Sequence, residues 1–152
     1  MSYAILEKKE LAPNTVMLQI LAPLAVKKMR PGQFIIVRVT ANGERIPLSV
    51  SGWDVQKGTV RIIVQAAGRT STELINLNAG DSISDVVGPL GQSSHIEKYG
   101  TCVLIGGGYG TGAIIPIARD LKALGNQVIA IVGARTKDLV LMEDELRKVC
   151  DR

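Results

Sequence analysis

Between an apolar run, Thr101 to Ile105, and a stretch with helical spacing lies Gly106-Gly107-Gly108-Tyr109-Gly110-Thr111-Gly112-Ala113. Within it Gly108, Gly110 and Ala113 meet a G-x-G-x-x-A spacing, and the chemistry of that spacing is anion binding. One glycine makes a tight turn, the next leaves the backbone bare enough for a pyrophosphate to approach, and the small third residue lets helix and strand pack closely. The start of the following helix adds unpaired N–H groups that favour a phosphate. A tight structural turn would use the same residues; the flanking strand and helix make a nucleotide site the better reading. Gly107, Gly108, Gly110 and Thr111 are its candidate contacts.

The elements that must position this turn have a helical period. Thr101 to Ile105 reads as a buried strand, and Ile114, Ile117, Ala118 and Leu121 fall on one helix face. Pro116 is expected in the first turn, where its missing N–H is not needed, and Gly125-Asn126 stops the helix. Val128 to Val132 is a second buried strand, and Met142, Leu146, Val149 and Cys150 line a second helix. This β-α-β-α order begins a doubly wound parallel sheet but stops too soon to cover it. Either the chain is a fragment, incomplete at its C-terminus, or a neighbouring copy completes the sheet.

From Tyr3 to Val87 the period is two. Strands are expected at Ala4 to Lys9, Thr15 to Leu21, Gln33 to Val39, Ile46 to Val50, Thr59 to Gln65 and Ser82 to Val86. Turn signals separate them, and a helical stretch, Ser71 to Leu77, interrupts them. Six short strands suit a small closed antiparallel barrel, which leaves no exposed edge. The period changes after Gly88-Pro89-Leu90-Gly91 and the polar segment Gln92 to Lys98. The expected organisation is therefore a six-stranded Greek-key barrel, residues 1–95, followed by the first part of a doubly wound α/β nucleotide-binding domain, residues 99–152.

The 152 residues are 46% hydrophobic and 21% charged, a globular composition. Aromatic residues make up only 3%, so the core must rest on Ile, Val, Leu and Ala. The net charge of +4 is scattered, and its densest group, Lys27, Lys28 and Arg30, reads as a solvated loop with no aromatics interleaved as nucleic-acid binding would require. No run reaches the ~20 apolar residues of a membrane span, and Met1 to Glu10 lacks an apolar leader core. The expected location is cytoplasmic. Cys102 and Cys150 are too few for a disulfide framework, a cluster or a structural zinc, so no metal ligands are assigned. Cys102 is expected as a small buried hydrophobe, Cys150 as exposed and oxidisable, and the single histidine, His95, as solvated.

Five segments in order carry a resemblance: Pro31-Gly32-Gln33-Phe34, Arg45-Ile46-Pro47-Leu48-Ser49, Gly68-Arg69-Thr70-Ser71, the turn from Gly106, and Gly133-Ala134-Arg135-Thr136. Together they resemble the ferredoxin-NADP reductase superfamily, and within it electron-transfer subunits of the sulfide dehydrogenase, NADH-dependent ferredoxin:NADP oxidoreductase and dihydroorotate dehydrogenase types. The likeness runs from Tyr3 to Val149. It implies a barrel that binds FAD and a second half that binds NADP(H) or NAD(H). Arg45 would meet the flavin pyrophosphate with its planar fork. Pro47, Leu48 and Ser49 would run under the isoalloxazine, with Leu48 as an apolar floor in place of the aromatic that many relatives carry. Gln65 would reach the ribityl chain or the ring.

In the same resemblance Gly68 to Ser71 would hold the second phosphate group through backbone N–H groups and the Thr70 and Ser71 hydroxyls, while Arg69 adds charge. Ser71 or Thr72 as a plain helix cap is compatible with this. Arg135, near Lys137, leans toward the 2′-phosphate of NADP, although Asp138 leaves a ribose contact and hence NAD open. The implied activity is electron transfer between NAD(P)H and an iron-sulfur partner, either an iron-sulfur/flavin large subunit or ferredoxin. The chemistry belongs to the cofactor, so no catalytic acid or base is assigned. The cysteine-containing C-terminal segment of the superfamily is missing, so no iron-sulfur cluster is expected on this chain. A flavin-binding module without turnover, or a dimerising fragment whose motifs are relics, are the alternatives, and a homo-oligomer is expected in isolation.

Overall fold

In the computed structural model, which describes residues 2–152, the alternating runs become strands. They are β1 (Tyr3–Ala12), β2 (Thr15–Leu21), β3 (Phe34–Arg38), β4 (Arg45–Asp54), β5 (Thr59–Gln65), β6 (Ser82–Ile83) and β7 (Asp85–Leu90). Helix α1 (Pro23–Val26) follows β2, and α2 (Arg69–Asn76) follows β5. Among the described residues these seven strands form one antiparallel sheet in the order β6-β1-β2-β5-β4-β3-β7. β5 returns to lie beside β2, which gives the Greek-key connection.

The expected Ser82 to Val86 strand is two strands. The chain bends at Ser84, whose N–H reaches the carbonyls of Arg38 (2.9 Å) and Val39 (3.0 Å). Because β6 pairs with β1 and β7 with β3, this bent segment joins both ends of the sheet and curls it into a barrel. Gly88-Pro89, beyond the expected end of the last barrel strand at Val86, lies inside β7. An end strand tolerates proline, and an added Cβ on Gly88 would come within 2.6 Å of Ile35 Cγ2.

The barrel core is aliphatic. Ile5, Leu18, Ile20, Ile35, Val37 and Ile62 are almost completely buried, and Val26 of α1 and Leu74 of α2 join the same cluster. With so few aromatics, close packing here depends on branched side chains alternating on each strand.

The second half contains β8 (Thr101–Gly107), α3 (Thr111–Ala123), β9 (Gln127–Gly133) and α4 (Glu143–Val149). β8 and β9 pair in parallel, Thr101 opposite Gln127 through Gly107 opposite Gly133. Leu104, Cys102, Val128 and Val132 turn toward α3 and α4, where Ala118, Leu121 and Leu146 meet them. The other face is open: Val103, Ile105 and Ile131 are 54%, 74% and 52% exposed. Asn126 does more than stop α3. Its side chain is buried, accepts the Tyr99 and Gly100 N–H groups and donates to the Glu97 and Leu121 carbonyls, pinning the segment between β7 and β8.

Pro116 departs from its expected place. α3 begins at Thr111 after a short 3-10 turn over Gly108–Gly110, so Pro116 sits in the second helical turn and its ring leaves the Gly112 carbonyl without a helical partner. α3 is also covered on two sides. One face meets β8 and β9, and the other presents Gly112 and Arg119 to the barrel. A Cβ on Gly112 would stand 2.5 Å from Ile63 Cδ1 and 3.1 Å from Ser51 Cβ. Gly112→Ala should therefore destabilise the chain by about 1–3 kcal/mol through overpacking. Gly110→Ala, with nothing within 4 Å of the added carbon, should stay within about 0.5 kcal/mol, and calorimetry of the two variants checks the contrast.

Candidate functional site

Along the first part of β4, Arg45, Pro47 and Ser49 point outward, while Ile46, Leu48 and Val50 turn toward the barrel core. The two-residue period of a strand makes this division unavoidable. Leu48 therefore packs on the core while still lining a cleft of about 230 Å³. Across that cleft from Pro47–Ser49 lie Tyr109, Gly110 and Ala113, and Ser51, Ile63 and Gly112 complete it. The strand and the glycine turn, far apart in sequence, thus face each other.

A larger cavity of about 710 Å³ opens at the C-terminal ends of β8 and β9. Gly106, Gly107 and Gly108 line one side, Val132 to Arg135 another, and Gln65 with Ala12 and Thr15 belong to its barrel wall. Ligands of open parallel sheets settle at this end of the strands, and the volume is of the size that holds them. Gly107, Gly108, Arg135 and Gln65 are brought together here. Tyr109 lines both spaces and is more than half exposed. Sequence reasoning passed over it, although an aromatic inside a glycine turn of so aromatic-poor a chain was a readable signal.

The glycines of the turn divide their work. Gly108 has φ +51, a conformation that disfavours side chains, and neither Gly108 nor Gly110 has an atom within 4 Å of an ideal Cβ, so their backbone is bare toward the cavities. Gly106 makes the tight strand–helix approach that the spacing assigned to Ala113, an ideal Cβ there falling 2.9 Å from Thr111 Cα. Thr111 is buried and its N–H bonds the Gly108 carbonyl. As a ligand contact it offers less than its position in the motif suggested.

Arg45 and the Gly68–Ser71 bend form a separate polar cluster that lines neither cavity. Glu44 and Thr70 join the two segments, the Thr70 hydroxyl donating to Glu44 Oε2 at 3.2 Å. Each side chain is occupied within the protein. Arg45 pairs with Asp85 at 2.9 Å, and Arg38 approaches the same carboxylate at 3.5 Å. Arg69 pairs with Glu73 at 2.9 Å. The Ser71 hydroxyl accepts the Ala67 and Gly68 N–H groups, each at 2.9 Å, and donates to the Gly68 carbonyl, so it acts as a helix cap. The first helical bond of α2 is Thr72 N–H to the Gly68 carbonyl, and the N–H groups of Arg69, Thr70 and Ser71 precede it. No atom lies within 4 Å of an ideal Cβ on Gly68, which leaves this bend open to an approaching anion. A donor set of arginine and bare N–H groups beside a strand with Pro47 and Ser49 outward fits the phosphates and ring of a flavin.

His95 is exposed, beside the Tyr99 hydroxyl and Glu97. Cys102 is half-buried under the helices, close to expectation, whereas Cys150 is also half-buried and not exposed. Burial, and then the charge of Asp151, push the Cys150 thiol up, opposed by Lys122, which holds Asp151 through a short ion pair. A raised thiol is a poor nucleophile, so Cys150 is less reactive than its place in the sequence suggested.

Comparisons with known proteins bear on the family of the chain. Residues 2–95 match the oxidoreductase FAD-binding domain family. The chain is 43% identical over 147 residues to a dihydroorotate dehydrogenase B (NAD(+)) electron transfer subunit homolog of Thermotoga maritima, covering 97% of this chain and 52% of that protein. A dihydroorotate dehydrogenase B (NAD(+)) electron transfer subunit of Bacillus cereus is 31% identical, with 97% and 59% covered. A chain of the NADH-dependent reduced ferredoxin-NADP oxidoreductase, a structure described for flavin-based electron bifurcation, superposes with a TM-score of 0.92 at 42% identity, over 98% of this chain and 54% of that one. The chain thus spans about half the length of the relatives it matches. No described helix is long and apolar enough to cross a membrane. With its barrel, its β4 strand and its glycine turn in this order, the chain belongs to the oxidoreductase FAD-binding domain family, within the ferredoxin-NADP reductase-like superfamily.

Proposed function

We propose that this chain is the flavin-holding part of an electron-transfer subunit, moving electrons between NAD(P)H and an iron-sulfur partner. The observation that carries the reading is the cleft in which Pro47 and Ser49 face Tyr109 and Gly110. In this reading residues 1–95 hold FAD and residues 99–152 begin the nucleotide-binding half. Bound FAD supplies the conversion between two-electron exchange with a nicotinamide and one-electron exchange with an iron-sulfur centre.

The residues have distinct tasks. Arg45, the N–H groups of Arg69, Thr70 and Ser71, and the charge of Arg69 bind the flavin phosphates. Pro47 and Leu48 give apolar contact to the ring, Ser49 hydrogen-bonds its polar edge, and Gln65 reaches the ribityl chain or ring from the neighbouring cavity. Gly107, Gly108 and Gly110 let a dinucleotide approach the backbone, and Arg135 neutralises a 2′-phosphate, so NADP(H) is preferred. The partner is an iron-sulfur/flavin large subunit or a ferredoxin, in the cytoplasm.

The exposed apolar face of β8 and β9 favours a second reading. A parallel sheet is normally covered on both sides, so the chain as it stands holds FAD and hands electrons on only inside a larger complex. In isolation two copies associate through Val103, Ile105 and Ile131. Light scattering at micromolar concentration should then give twice the chain mass, and a monomer mass would remove this part of the proposal.

Protein mixed with FAD and then freed of unbound cofactor by gel filtration should keep flavin absorbance under both readings, and bleaching of it by NADPH supports turnover over the flavin-holding reading; failure to keep FAD defeats both. Arg45→Ala should weaken FAD binding about tenfold, the loss of one charge-assisted contact, while Arg135→Ala leaves FAD binding alone and raises the NADPH needed, but not the NADH. Fluorescence titration of both variants measures this. Glu44→Gln should tighten FAD roughly two- to fivefold, because it keeps an acceptor for the Thr70 hydroxyl but removes the negative charge that repels an incoming phosphate. Weaker binding by that variant would place the phosphates elsewhere.

A further inference from the structure

Behind the cleft, β4 and β5 slip in register between Val50 and Gly52, leaving Ser51 as the extra residue of a bulge. The bulge builds a cradle. An ideal Cβ on Gly52 would lie 3.2 Å from Arg61 Nη2 and 3.3 Å from its Nε, so the missing side chain makes room for the guanidinium. Arg61 Nη2 donates to the Ser51 carbonyl at 2.8 Å and Nε to Ser51 Oγ at 3.2 Å. Its outward edge then holds Glu145 of α4 in a fork, Nη2 to Oε1 at 2.6 Å and Nη1 to Oε2 at 3.0 Å. Arg61 and Glu145 are 24% and 34% exposed, partly shielded from water.

We propose that Arg61 and Glu145 form a clamp between the two halves that sets how closely the Tyr109–Gly110 turn approaches the Pro47–Ser49 strand. Arg61 grips Ser51, which itself lines the cleft two residues beyond Ser49, and through Glu145 it holds the helix packed beside α3. The clamp acts on the half that carries the turn, not on the barrel, which keeps its own core. A second brace lies next to it, Arg119 of α3 standing 5.2 Å over the Trp53 ring. The fork geometry matters, since lysine has a point charge and cannot span both Ser51 and Glu145. Arg61 and Glu145 are therefore positioning residues. Their effect on hydride exchange rests on the function proposed above, but the mechanical role does not.

Trp53, the single tryptophan, borders the same polar crevice as Arg61, Arg119 and Glu145 and reports on it directly. Glu145→Gln keeps the shape and removes the charge; acrylamide quenching of Trp53 fluorescence in the full chain should rise roughly two- to fivefold, and 1 M salt should move the wild type the same way. Arg61→Lys should do likewise. Glu143→Gln is the control, because Glu143 pairs with Arg147 within α4, and quenching should not change. In the FAD-loaded protein, Glu145→Gln should leave FAD affinity within about twofold, slow bleaching at saturating NADPH and leave the half-saturating NADPH concentration unchanged, a split that general destabilisation does not produce. Equal quenching in Glu145→Gln, Glu143→Gln and wild type overturns the clamp. A wild type that NADPH never bleaches defeats the proposed nucleotide chemistry and leaves quenching to decide the clamp by itself.

Discussion

A side chain at Gly112 would need the space of Ile63 Cδ1, 2.5 Å away, and on that missing side chain rests the placement of α3 against β4 and β5. α3 is the element that carries the glycine turn. Where it lies decides whether Tyr109 and Gly110 look toward Ser49 or into solvent, so the cleft between the halves depends on one close backbone approach. Gly106 performs the same service inside the second half, letting the start of α3 lie on the end of β8. The motif's glycines thus serve packing at their ends and leave a bare backbone at Gly108 and Gly110. Substitution tolerance along the turn follows from that division.

Charge is arranged differently. Cations and hydroxyls suited to phosphate are present, yet each has an internal partner: Asp85 for Arg45, Glu73 for Arg69, Glu44 for Thr70 and the local backbone for Ser71. Arg38 adds to the crowd, bonding the Ala41 carbonyl through Nη1 while its buried Nε lacks a partner. The ion pairs of Arg45 and Arg69 are exposed or half-exposed, where an ion pair contributes about 0–1 kcal/mol, so an approaching anion can exchange with them at small cost. In the proposed reading, the flavin phosphate site is held ready by weak contacts instead of standing as an empty basic pocket.

Much of this was legible in the chain. Period-two runs located β2 and β5 at their observed bounds, and the change to helical spacing located β8, α3, β9 and α4. Errors fell where a local signal met a tertiary demand. The last barrel strand, expected to end at Val86, runs on through Pro89 to Leu90 because an end strand accepts proline and Gly88 lets the strand cross Ile35. Pro116 falls in the second turn of α3 because the 3-10 turn delays the helix to Thr111. Leu48 is not such an error, since its apolar side chain packs on the core while still lining the cleft. Tyr109 was missed because it fills a variable position inside the glycine motif, and Glu44 because it flanks the Arg45 segment without belonging to it.

By itself the sequence determined the order of elements, the aliphatic core and the residue types near each candidate contact, because these follow from periodicity, turn chemistry and side-chain chemistry acting over a few residues. Only the tertiary structure decided which of those residues meet. Closure through the bend at Ser84, the pairing of Arg45 with Asp85, the fork from Arg61 to Glu145 and the opposition of Ser49 and Gly110 all join residues distant along the chain. Nothing in the local pattern encodes such contacts, since they depend on how packed volumes and paired charges are satisfied together once the barrel and the second half have come into contact.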